Sequence, residues 1–336
     1  MGPDRPASQL IGMLTGAWVA QALCVAAQLG IADELQLGPK SSEALAETTH
    51  TDASALYRLL RTLASVGVFA EGEDRAFGLT PLAELLRSNT PNSLRAFAIM
   101  LGAEWHWRTW GEALYSVRTG RPAFDSIFGT PVFEYYAEHP DAARVASEGL
   151  ASRSRLENTA IVAAYEFGVA TSIVDVGGGQ GALLLSILGA NPGARGLLFE
   201  RSQVIAMARS LVESAGGAAR CDLVPGDFFT SVPAGHDVYL LKKVIHDWDD
   251  ERAGMILRNC RVAMRPGARL LVLETVVPSG NEPSFAKLLD LLMLVYAGGR
   301  ERTAGEYREL LGSAGFQLRR VLPTASGLSV LEAVPL

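Results

Sequence analysis

The chain has 336 residues, 49% hydrophobic and 20% charged, with a formal net charge of −6. That length favours two domains over one and supplies ample apolar material for a core, while the acidic balance argues against a nucleic-acid or anionic-membrane surface. Cys24, Cys221 and Cys260 lie far apart, with no metal-binding spacing, and fit a reducing, cytoplasmic setting.

From Gln9 to Ala32 no residue is charged, a run long enough to cross a bilayer. It also contains Gly12, Gly16, Gly30, Thr15, Gln21 and Gln28, and it lacks a positive lead-in segment. A helix buried in a core or subunit interface is expected, with no membrane partner. Next, "SSEALAE" (41–47) opens with serines and a first-turn glutamate, a helix start. Asp52 can cap a second helix with Leu56, Leu59, Leu60 and Leu63 on one face. "FAEGEDRAFGLT" alternates and turns at Gly72 like a small hairpin, and Thr80-Pro81 starts another helix.

Helix, turn, helix and hairpin is the order of a winged helix, a frequent DNA binder. Residues 1–95, however, carry seven Lys/Arg against ten Asp/Glu, a net of −3, the wrong sign for phosphate neutralisation. A packing module is expected over 1–95. Residues 96–165 continue as a helical connecting segment rich in aromatics. Trp105, Trp107 and Phe128 are candidate walls for a flat ligand, with core packing as the competing explanation.

From about residue 166 the pattern changes. Strands "SIVDV", "ARGLLFE", "CDLVP", "HDVYLLKKV" and "RLLVLETVV" alternate with helices, the sign of a doubly wound, mostly parallel sheet. "FQLRRVLPT" and "LSVLEAVPL" then follow so closely that they must pair antiparallel. "DVGGGQGA" sets Gly177, Gly179 and Gly181 after the first strand, where glycine allows a tight turn and close approach of a nucleotide. The motif alone serves NAD or S-adenosylmethionine equally, and Glu200 suits a ribose diol in either case. Three features favour the second: Asp175 two residues before the first glycine, Asp227-Phe228 in "GDFF" placed for an adenine, and the terminal hairpin.

These pieces together, with "LLKKVIHDWDDE", "RPGARLLVLETVVP", "GGRERTAGEYRELLGSAGF" and, more loosely, "GVFAEGEDRAFGLTPLAELL", resemble the S-adenosylmethionine-dependent O-methyltransferases of the plant caffeate/flavonoid type and their bacterial natural-product relatives. The resemblance runs from about residue 10 to 336. It implies an N-terminal winged-helix-like dimerisation domain (1–95), a connecting segment (96–165) and a class I methyltransferase domain with a Rossmann-like sheet (166–336), assembled as a homodimer. The family usually has Asp then Leu-Pro after the second strand, where this chain has Glu200-Arg201-Ser202.

His246 follows the fourth strand, at the carboxyl edge where ligands sit. From spacing alone it serves a loop hydrogen bond as readily as chemistry. The resemblance makes it the general base, with Glu274 and Glu306 as supporting carboxylates, although Thr303-x-x-Glu306 is equally a capping box. It further implies Lys242 near the cofactor, with Lys243 alternating to the opposite face, and S-adenosyl-L-homocysteine as product. No metal is expected. Met293 and Tyr296 join the candidate acceptor walls. The expected reaction is methyl transfer to a phenolic hydroxyl of an aromatic or polyketide-type molecule. Alternatives are N-methylation or a cofactor-retaining relative catalysing hydroxylation, decarboxylation or a pericyclic step.

Overall fold

The computed structural model describes residues 5–168, 170–217 and 219–336. It divides into two compact units, Met1–Gly111 with Phe133–Ser154, and Glu112–Val132 with Arg155–Leu336.

In the first unit the sequence signals act where they stand. Ser41 accepts a hydrogen bond from the Ala44 amide and caps Ser42–Thr49, and Asp52 accepts from Ala55 and caps Ala53–Ser65. Side-chain oxygens there satisfy amides that a helix start leaves without partners. Thr80 does the same at Pro81–Glu84. Phe69–Glu71 and Ala76–Leu79 form the hairpin, and Lys40–Ser41 adds a third strand beside Ala76–Leu79. Leu45, Leu56, Leu60, Leu63, Phe69 and Phe77 close the core of this winged-helix-like module. The uncharged N-terminal stretch forms the helix Arg5–Leu29, and after Gly30 its last residues open the short helix Ile31–Glu34. It is only partly covered within this chain. Cys24, Ala26 and Ala27 are buried, whereas Leu10, Ile11, Met13, Leu14 and Trp18 are 58% to 74% exposed. Of the two placements expected for it, the chain's own core holds only its C-terminal end.

The second unit is a sheet with helices on both faces. Its strands are β1 (Ser172–Val176), β2 (Arg195–Glu200), β3 (Cys221–Pro225), β4 (Val238–Lys242), β5 (Arg269–Val277), β6 (Phe316–Pro323) and β7 (Leu328–Pro335). Their order is β6-β7-β5-β4-β1-β2-β3. β1 to β5 pair in parallel, and β6 and β7 close one edge antiparallel, as expected. One face packs Leu184, Ile187, Ala208 and Val212 of two helices against the sheet. The other packs Ile256, Leu257, Cys260, Tyr307 and Leu311. Strands buried on both faces read as continuous apolar runs rather than alternations, which is how they were found. The last rung between β4 and β5 joins Lys242 to Leu273, so Glu274 stands just past the end of β4. Asp175, Glu200, Asp227, His246 and Glu274 thereby collect at the carboxyl edge of the sheet.

One expectation along β4 fails. Lys243 does not alternate away from Lys242. Its φ of +52° ends the extended run and turns its side chain back, so that both ammonium groups meet the buried Glu157 carboxylate, at 3.2 Å from Lys242 and 2.6 Å from Lys243.

Candidate active site

The turn after β1 is built for close approach. Gly177, Gly179 and Gly181 have φ of +69°, +58° and +81°, a region that costs side-chain-bearing residues energy. A Cβ on Gly177 would lie 3.0 Å from Val244 Cγ2 and 3.2 Å from the Phe228 ring. Gly178, which the sequence reading passed over, is as tightly held: a Cβ there would overlap the Asp175 carboxylate and sit 2.7 Å from Leu198 Cδ1. Asp175 is 1% exposed and neither of its carboxylate oxygens has a hydrogen-bond partner. Burial pushes its pKa up to about 7, against the pull of Lys242.

A buried carboxylate without partners is costly, and an incoming amine or hydroxyl would relieve it. The residues present therefore fit S-adenosylmethionine. Glu200 accepts from the Gly179 amide at 3.2 Å and from Arg201 at 2.8 Å, standing over the glycine turn. Asp227 is exposed, with Oδ1 turned to the Phe229 amide at 2.8 Å. Phe228 packs edge-on to Phe229, 5.0 Å between centroids. Asn259 holds the carbonyls of Phe228 and Phe229 at 2.8 and 3.0 Å. Lys242 donates to Asn158 at 2.7 Å.

The fourth strand leads into a 3-10 turn, Ile245–Asp247, that carries His246. The ring is almost fully buried, and its Nδ1 lies 2.8 Å from Glu301 Oε1 and 3.6 Å from Glu274 Oε2. Glu274, on β5, accepts the amides of Ile245 at 2.9 Å and His246 at 3.2 Å. Asp247 Oδ1 is 3.5 Å from Nε2. Burial opposes a charged imidazole, but Glu274, the hydrogen bond to Glu301, and Asp247 outweigh it and hold the His246 pKa up to about 9. Burial pushes Glu274 up to about 7 and raises Asp247 as well.

Ligand atoms of His246, Glu274 and Glu301 lie within 4.8 Å of one another, a donor set that a divalent ion could also use. At 2.8 Å, however, Nδ1 and Oε1 are closer than the roughly 3.3 Å that tetrahedral zinc geometry sets between ligands. The spacing is that of a charge-assisted hydrogen bond.

Glu306 is not part of this group, which corrects the sequence expectation. Its Oε2 accepts from the amide and hydroxyl of Thr303 at 2.8 and 2.9 Å, completing a capping box, and its other oxygen pairs with Arg300. The second carboxylate on the imidazole is Glu301, five residues earlier. The signal for it lay in "GGRERT". Gly298 has φ +73°, and a Cβ on Gly299 would overlap the His246 carbonyl oxygen and stand 3.0 Å from Asp247 Cα. The glycine pair lets this loop press on the histidine turn, and the next acidic residue meets the ring.

The candidate wall residues divide between the units. Trp105 and Trp107 lie in the first, where Trp105 packs edge-on to Tyr136 at 5.6 Å. Phe128, Met293 and Tyr296 lie in the same unit as His246. Phe124 joins Phe128 at 4.6 Å and Tyr296 at 5.1 Å. Met293 Cε packs at Gly299, 2.9 Å from where a Cβ would stand.

Comparison with known proteins matches the O-methyltransferase domain to residues 107–317 and the O-methyltransferase dimerisation domain to residues 11–89. Phenazine O-methyltransferase PhzM of Lysobacter antibioticus is 50% identical over 98% of this chain and 96% of that protein. The structure of CalO1, a methyltransferase in calicheamicin biosynthesis solved in its SAH-bound form, superposes with a TM-score of 0.92 at 37% identity, covering 100% of each chain. Two relatives carry other chemistry. Phenazine-1-carboxylate N-methyltransferase of Pseudomonas aeruginosa is 35% identical over 94% of this chain and 93% of its own. Aclacinomycin 10-hydroxylase RdmB of Streptomyces purpurascens is 38% identical over 94% and 86%.

Proposed function

The chain belongs to the O-methyltransferase family, as an S-adenosylmethionine-dependent enzyme of the bacterial natural-product type, and on that basis we propose that it methylates a phenolic hydroxyl on a flat aromatic acceptor with His246 as general base. The observation that carries this is the Nδ1–Glu301 contact of 2.8 Å. If Nδ1 keeps its proton for Glu301, the lone pair of the neutral ring is on Nε2. Bound S-adenosylmethionine supplies a methyl group already activated for displacement. Asp175, the glycine turn, Glu200, Asp227, Phe228 and Lys242 hold the donor, and Nε2 of His246 takes the acceptor's proton. The carboxylates matter because an ordinary imidazole, near 6.5, is a weak base against a phenol near 10. Raised to about 9, it comes within about one pH unit of the phenol, where proton transfer is nearly balanced.

Similarity to a phenazine O-methyltransferase supports a fused, phenazine-like acceptor, with Phe128, Met293 and Tyr296, in the unit that carries His246, as its walls. Residues 1–95 act as the dimerisation part, 96–165 as the acceptor-lining segment and 166–336 as the donor-binding domain. A second copy covers the exposed face of Arg5–Leu29, and neither DNA nor membrane is a partner of this cytoplasmic enzyme. Purified protein given S-adenosylmethionine and hydroxylated phenazines or naphthoates tests the reading. It predicts a product heavier by about 14 Da, the replacement of H by CH3, with demethylated donor in equal amount. Methylated amines alone, or an oxygenated product without methyl transfer, would contradict it.

A further inference from the structure

Arg302 heads the set of large side chains that are fully buried. A buried guanidinium is stable only when its donors are matched, and the partners here are specific. Nη1 donates to the Ile245 carbonyl at 3.0 Å and Nη2 to the Trp248 carbonyl at 2.8 Å. Nε and Nη2 also reach Asp250 Oδ1 at 3.0 and 2.8 Å. The fork thus grips the backbone on either side of His246 and Asp247. The two preceding residues hold the same turn: the Arg300 amide donates to the His246 carbonyl at 2.8 Å, and Glu301 meets the ring. Arg302 also pairs in register with Val276 on β5, two residues beyond Glu274. Both carboxylates around the imidazole are therefore referred to one strand, and Arg302 ties the turn to it.

We propose that Arg302 is a positioning residue for methyl transfer: its fork clamps the Ile245–Trp248 turn so that His246 meets Glu301 at the distance and angle the base requires. This rests on the reading of His246 as general base. A countercharge for Asp250 would not explain the arrangement, since Asp250 is 60% exposed and water can solvate it. A fork bridging two carbonyls is a task lysine cannot copy, because its ammonium is a single point donor group on a flexible stem.

The test measures single-turnover methyl transfer and donor affinity in Arg302→Lys, Asp250→Asn, Glu301→Ala, His246→Gln, and each of the first two combined with Glu301→Ala. Misplacement near 1 Å costs about 100-fold, so Arg302→Lys should lose about 10- to 100-fold in rate with donor affinity within about threefold of wild type. Asp250→Asn should lose less, in the same direction. Neither should lose more than about threefold further in the Glu301→Ala background, because the contact being positioned is already gone. Wild-type rates in Arg302→Lys and Asp250→Asn, or equal losses in both backgrounds, would overturn the clamp. Should Arg302→Lys fail to fold, Asp250→Asn decides by the same comparison. Methyl transfer retained by His246→Gln would overturn the general-base reading itself. An inactive His246→Gln beside unimpaired Arg302→Lys and Asp250→Asn would remove the clamp alone.

Discussion

Glu301→Gln isolates the charge beside the base without removing a hydrogen-bond acceptor. The amide oxygen can still accept from Nδ1, but the ion pair across 2.8 Å, between side chains 10% and 0% exposed, is lost. An opposite charge this close moves a pKa by about 1 to 3 units, so the His246 pKa should fall from about 9 to between about 6 and 8. The sign follows for catalysis. With the wild-type value, about one ring in a hundred is neutral at pH 7, so the methyl-transfer rate should climb with pH towards a limb near 9. In Glu301→Gln the limb should move to lower pH and the plateau should fall, because a less basic imidazole draws the phenolic proton less strongly. The assay is the pH dependence of single-turnover rate, with a ring-proton NMR titration of the free enzyme. The chain has five histidines. Burial depresses His106 to about 4 and also lowers His236, which separates both from an alkaline titration. A limb that stays in place in Glu301→Gln would refute the reasoning.

Three further outcomes follow. Asp175→Asn removes a carboxylate raised by burial to about 7; since its folded pKa lies above the unfolded one, the ionised form costs stability as pH rises past about 4. At pH 8 the variant should melt a few degrees higher without donor and bind donor at least about tenfold more weakly, as scanning calorimetry and isothermal titration would show. Gly299→Ala puts a methyl onto the His246 carbonyl and should cost about 1–3 kcal/mol of stability together with most of the rate, checked by denaturant melts and turnover. If the face left 74% exposed at Trp18 is where a second copy binds, the wild type should sediment as a dimer and Trp18→Glu as a monomer in analytical ultracentrifugation at micromolar concentration.

The alternation of strands and helices, the hairpin edge, the caps at Ser41, Asp52 and Thr80, and the glycine turn could all be read in the sequence, because each depends on local pattern. His246 was marked by its place after a strand, and the family resemblance gave it its role and brought in Glu274. Glu301 was missed because "TAGE" offers a carboxylate with a plausible spacing, and only a tertiary contact distinguishes an acid that meets the ring from one that caps a helix. Lys243 defeats alternation because its backbone turns left-handed at the strand end. Glu157 and Asn158, on the helix Pro140–Ala164, reach the two lysines from more than 80 residues away, and nothing in their local sequence marks them. For Arg5–Leu29 the sequence left core and subunit interface both open, because composition does not distinguish burial within a chain from burial between chains.

Single-turnover methyl transfer to a phenolic acceptor by His246→Gln, with donor affinity measured on the same protein, is the most direct test of the chemistry. General-base catalysis contributes about 10²- to 10⁴-fold. The rate should fall by that factor while the donor binds within about threefold of wild type. A variant that binds the donor and methylates at the wild-type rate would show that the proton leaves by another route.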